Sequence, residues 1–231
     1  MKTLGIIGGI APGSTVDYYQ RIVTIYRELR KDGSYPSIII NSIDLNKMLG
    51  YVFAGDFDQL TEFLLPEVDR LAKAGADFGL FASNTPHIVF EHVSPRSPIP
   101  LISIVECACM AAKKMGLKKL GLLGLRTTME GKFYPEVFSR SKIALLAPEP
   151  EDREYVHDKY MNELIPGNFL AETREHVFAI IARMKKEENI EGVVLAGTEL
   201  PLLLRGSNEA GVPMLDTTQI HVQAAVARLL E

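Results

Sequence analysis

The side chains best suited to chemistry fall in three short stretches. Ser83-Asn84-Thr85-Pro86-His87 and Gly197-Thr198-Glu199-Leu200-Pro201 each place small polar groups where an apolar run turns toward a helix. Backbone N–H, hydroxyl and amide donors in that setting suit a carboxylate. Taken singly, Ser83, Asn84, Thr85 and Thr198 read first as helix N-caps, a role each fills well. Two such stretches at matching places in the chain favour a ligand instead. The third stretch, Gly8-Gly9-Ile10-Ala11-Pro12-Gly13-Ser14-Thr15, is a glycine-bearing turn into a helix, whose free N–H groups suit an anion. Gly8, Gly9 and Gly13 are not spaced GxGxxG, and no Gly-Lys-Ser or Gly-Lys-Thr follows. A tight strand-to-helix connection is therefore the default there, and a nucleotide-binding regulatory module is poorly supported. The two cysteines, Cys107 and Cys109, have no flanking His or Cys cluster, so no metal site is expected. With Ala108, Ala111 and Ala112 around them they read as core thiols.

The elements that must hold these residues alternate between strand and helix. Apolar or β-branched runs at 3–9, 37–44, 76–83 and 100–105 read as buried strands. Pro12 to Thr15 start a helix that keeps Val16, Tyr19, Ile22, Val23 and Tyr26 at helical spacing, and Phe57, Leu60, Leu64, Val68 and Leu71 mark another. The pattern then restarts. LGLLGL at 120–125 echoes LGIIGG at 4–9 with an offset of 116, and EGVVLAGTELPLLL at 191–204 echoes DFGLFASNTPHIVF at 77–90 with an offset of 114. VPMLDTTQIHVQAAVARL at 212–229 echoes the segment from Ile99 with an offset of 113. Short βα units also resemble one another by composition alone, but three matches in one order at nearly one offset favour an internal duplication. The expected fold is α/β: two pseudo-symmetric lobes with mostly parallel four-stranded sheets flanked by helices, and a cleft between them. Ligands of such sheets bind outside the carboxyl ends of the strands.

Composition narrows the class of molecule further. The 231 residues are 47% hydrophobic and 23% charged, which is globular and argues against disorder. A formal net charge of −4 with scattered basic residues gives no nucleic-acid surface. Without an apolar run of about 18 residues no membrane span is expected, and MKTLGIIGG reads as a first strand rather than a secretory signal. Few cysteines fit a reducing cytoplasm.

Six segments together resemble the aspartate/glutamate racemase family: GIIGGIAPGSTVDYY at the start, NTPH at 84–87, GLRTTMEGKFY at 124–134, NELIPGNF at 162–169, GTELPLLL at 197–204 and PMLDTTQIHVQAAV at 213–226. The resemblance covers essentially the whole chain. It implies a lobe at 1–100 joined by the closing segment 213–231, a second lobe at 101–212, a site in the cleft, a homodimer, and no PLP, metal or other cofactor. The implied partner is a small amino acid or carboxylic acid, with Ile10, Ser14, Asn84, Thr85, Thr198 and Glu199 binding it.

Racemisation without a cofactor needs an acid/base group on each side of the α-carbon. The family supplies two cysteines, one before the Asn-Thr and one before the Thr-Glu; here those positions hold Ser83 and Gly197. A hydroxyl acts as a base only when another group activates it, and glycine has nothing to exchange. Ser83 therefore occupies one catalytic position and Gly197 leaves the other without a side chain. His87 is expected to orient the turn rather than to act as a base. Relatives place a lysine where Ile165 stands, and a more polar loop where Tyr51 and Val52 stand, so the ligand is expected to differ from a plain dicarboxylate. A cofactor-independent isomerase and a non-catalytic carboxylate-binding pseudoenzyme both remain open.

Overall fold

The computed structural model describes residues 2–205 and 211–231. In chain order the elements are β1 Thr3–Gly8, α1 Pro12–Arg30, β2 Ser37–Ser42, α2 Leu45–Ala54, α3 Phe57–Lys73, β3 Phe78–Phe81, a 3-10 turn Thr85–Val89, α4 Phe90–Val93, β4 Leu101–Ile102 and α5 Ile104–Lys114. There follow β5 Lys119–Gly124, α6 Arg126–Met129, α7 Phe133–Arg140, β6 Ala144–Leu146, α8 Pro150–Lys159, a π-helical turn Tyr160–Leu164, α9 Ala171–Glu188, β7 Gly192–Ala196, α10 Leu200–Leu203, β8 Met214–Asp216 and α11 Thr217–Leu230. The strands form two four-stranded sheets of the same topology, ordered β2-β1-β3-β4 and β6-β5-β7-β8. All six strand pairings are parallel. The expected α/β class and four-strand repeat are what the chain adopts, and the offsets carry β1, β3 and β4 onto β5, β7 and β8. Gly8 and Gly124 end β1 and β5, and the 114-residue offset carries β3 onto β7.

Packing divides the chain into two compact units, Met1–Ile104 with Thr218–Glu231, and Val105–Thr217. The divisions lie four to five residues beyond 100/101 and 212/213, because each fourth strand stays with its own sheet while the helix after it leaves. In the first unit α1 and α11 cover the central strands. Leu4, Ile6, Tyr18, Ile22, Tyr26, Phe78 and Leu80 are buried together with Val222, Val226 and Leu229. In the second, Leu123, Val177, Ile180, Ile181, Val193 and Leu195 form the core with Val156, Tyr160 and Leu164. Burial of such side chains, at roughly 1.5–3 kcal/mol each, is the main drive to fold.

Local chemistry sets the helix ends. The Asp44 carboxylate accepts the Lys47 N–H at 3.0 Å and the Asp56 carboxylate accepts the Gln59 N–H at 3.0 Å, capping α2 and α3. Tyr51 and Val52, expected in a loop, lie on α2; their spacing with Met48 buries Val52 and Met48. Among the described residues no helix is long and apolar enough to cross a membrane, and no group of His, Cys, Asp and Glu could hold a metal ion.

Candidate functional site

The three polar stretches lie at the carboxyl ends of β1, β3 and β7, and the last two strands occupy the same place in their sheets. In the first unit, Gly9 turns the chain with φ +84, a left-handed conformation natural to glycine, and a Cβ there would strike the Ile43 carbonyl at 2.4 Å. The Gly9 N–H donates to Thr15 Oγ1 at 2.8 Å. The Ser14 hydroxyl donates to the Ala11 carbonyl at 2.8 Å and lies 3.4 Å from the Ala82 carbonyl, which brings the β1 turn against the β3 turn. Ile10, Ser14, Ser83, Asn84 and Thr85 are all buried there.

His87 fixes the β3 turn. Its Nδ1–H donates to the Ser83 carbonyl at 3.0 Å, and its Nε2 accepts the Ile104 N–H at 3.1 Å, which sets the tautomer. Phe90 stacks on the ring at 5.0 Å and Phe81 meets it edge-on at 5.8 Å. Burial above all, with the nearby His221, pushes the His87 pKa down to about 3. His221 follows the same plan: Tyr18 Oη lies 2.9 Å from Nδ1, the Ile102 carbonyl lies 3.0 Å from Nε2, and burial lowers its pKa to about 4. His87 thus holds the Ser83 backbone, and among the described residues no base is hydrogen-bonded to the Ser83 hydroxyl.

In the second unit, Gly197, Thr198 and Glu199 follow β7. Thr198 Oγ1 donates to Glu199 Oε2 at 2.8 Å, and the Tyr160 hydroxyl donates to the same carboxylate oxygen. A Cβ on Gly197 would lie 2.4 Å from Tyr160 Cε2 and 2.7 Å from its hydroxyl oxygen, so the glycine makes room for the ring. Tyr160 was not singled out in the sequence; NELIPGNF begins two residues after it, but nothing in spacing alone joins it to a strand end 37 residues away.

Capping does not account for these polar turns. Neither the 3-10 turn after Asn84 nor α10 after Glu199 has a side-chain cap hydrogen bond. The cysteines lie on α5 and belong to neither turn. Burial and then Glu106 push the Cys107 thiol up to about 12, and Cys109 Sγ lies 3.8 Å from the Val137 carbonyl. Cys107 is therefore a protonated, packed thiol, unlike the thiolate that proton transfer needs.

Two parallel four-stranded sheets of one topology, with polar turns at equivalent strand ends, define the two-lobed racemase type of α/β protein. The family model described as Asp/Glu/Hydantoin racemase matches residues 7–225, and the chain belongs to that family. It is 21% identical over 236 residues to the broad specificity amino-acid racemase RacX of Bacillus subtilis (strain 168), covering 98% of both chains. Among solved structures it is similar to a candidate Asp/Glu racemase from Yersinia pestis, at 30% identity and TM-score 0.91 with both chains covered in full. An aspartate racemase homologue from Pyrococcus horikoshii OT3 is 32% identical, with TM-score 0.86 and 100% of both chains covered.

Proposed function

We propose that the protein binds a small amino acid or related carboxylate at the turns after β3 and β7, as a cofactor-independent member of its family. The observation that carries this reading is the pair of buried, uncapped polar turns at equivalent strand ends, Ser83 to Thr85 and Gly197 to Glu199. Asn84 and Thr85 are donors for a carboxylate, Ile10 and Ser14 border the first turn, and Glu199, held by the Thr198 hydroxyl, suits an ammonium group. Family membership supports a substrate among amino acids, as does the RacX relative, itself named for broad specificity toward amino acids. The two-thiol mechanism is not part of the proposal, since Ser83 and Gly197 hold its positions. A homodimer in the cytoplasm completes the reading.

A second reading, a pseudoenzyme that binds without turnover, is favoured by the unactivated Ser83 hydroxyl. The two readings share a binding test and part on turnover. A ligand that binds only the native state at 100 times its Kd stabilises by about 2.7 kcal/mol, so a thermal-shift screen of L- and D-amino acids and small dicarboxylates should find at least one that raises Tm. NMR detection of α-proton exchange in deuterium oxide then separates them. Exchange of the bound amino acid supports the enzyme, its absence supports the pseudoenzyme, and no stabilising ligand rejects both.

A further inference from the structure

Gly197 has no side chain, yet the space that one would occupy is filled. Tyr160 puts Cε2, Oη and Cζ at 2.4, 2.7 and 2.8 Å from the place of a Cβ on residue 197. The phenol oxygen therefore stands within reach of where relatives carry a thiol. It donates to Glu199 Oε2, and the Glu199 N–H approaches it at 3.4 Å. Thr198 Oγ1 holds the same carboxylate oxygen at 2.8 Å. The tyrosine is 4% exposed and opens the π-helical turn Tyr160–Leu164, where the Ile165 N–H reaches the Tyr160 carbonyl at 3.0 Å. Such turns are rare and recur at functional sites.

The geometry points to Tyr160, working with Glu199, as the proton-exchanging group on the side of the ligand where the thiol is missing. This rests on the ligand site proposed above. In the step, the Cα–H bond breaks and its proton passes to Tyr160 Oη. The Tyr160 hydroxyl proton passes to Glu199 Oε2, and the electron pair stays on the substrate as the carboxylate's enolate. Reprotonation reverses both transfers. The phenol begins and ends neutral while Glu199 alternates between carboxylate and acid. Burial, together with the Glu199 carboxylate, holds the Tyr160 phenol well above its ordinary pKa, so it remains an O–H donor and no phenolate is required.

The test follows α-deuterium exchange by NMR for the L and D forms of alanine, aspartate and glutamate, with thermal stabilisation measured in parallel. Wild type should exchange an amino acid that stabilises it. Tyr160→Phe should slow exchange of the enantiomer that wild type exchanges by about 100-fold or more, and keep the stabilisation. Glu199→Gln, which cannot take up the proton, should slow the same enantiomer. Unchanged exchange in either variant, or no exchange by a wild type that binds, overturns the inference. Stabilisation by no compound of the wider amino-acid and dicarboxylate screen overturns the ligand site itself, and is distinct from the other outcomes.

Discussion

At the scale of single residues, Gly197 and Tyr160 are one unit. A methyl on Gly197 meets an aromatic ring edge at 2.4 Å, and overpacking of this kind costs about 1–3 kcal/mol. Gly197→Ala should therefore destabilise by that amount, whereas in a Tyr160→Ala background the same change should cost less than about 0.5 kcal/mol. Urea unfolding of the four chains measures the coupling; equal costs in both backgrounds would contradict the contact. Restoring a family cysteine at 197 meets the same ring. Cys107 yields a second prediction. With its thiol raised to about 12 by burial and Glu106, it should react with a disulfide reagent at pH 8 only as fast as the protein unfolds. Fast labelling of the native protein at Cys107, mapped by mass spectrometry, would contradict the packed thiol. Ser83 and Gly197 were legible in the sequence as departures from the resemblance, but the tyrosine that fills the space beside Gly197 was not. That contact depends on how far a π-helical turn swings one ring.

At the scale of elements, two buried neutral histidines tie the β3 turn and α11 into the first unit. Unfolded histidine titrates near 6.5, while native His87 and His221 are lowered to about 3 and about 4. Below pH 6.5 the unfolded chain thus binds protons that the native state refuses. The stability is complete above that pH, declines as pH falls, and stops declining once each native value is passed. Between pH 7.5 and 5.0 the pair should cost roughly 4 kcal/mol, at about 1.4 kcal/mol per pH unit for each histidine. Urea unfolding at both pH values checks this, and His87→Gln should lose about half as much. A pH-independent midpoint would contradict the locked, neutral rings. The strands were legible because short apolar runs between turn residues leave few alternatives, as at 3–9 and 120–125. Helix α2 was not: its apolar spacing spans only ten residues, and its decisive signal is the cap made by Asp44. The role of His87 was half legible. The resemblance implied an orienting or structural group, whereas the Ile104 N–H that completes the lock comes from beyond β4.

At the scale of the whole molecule, one βα pattern is used twice, and α11 closes the core of the unit to which its own β8 does not belong. The repeat was legible as offsets of 113 to 116 residues because each strand end keeps its glycine or small polar residues. Where the units divide was less so, since composition does not mark which sheet a connecting helix will cover. The proposed ligand site is testable in each half by itself, at Asn84 and at Thr198. The direct measurement is a thermal-shift titration of wild type, Asn84→Ala and Thr198→Val with the panel of L- and D-amino acids. A concentration-dependent rise in Tm for wild type, weakened by either substitution by about 1–3 kcal/mol of binding energy, is the predicted result. A rise that survives both substitutions undiminished would place the ligand elsewhere and contradict the account.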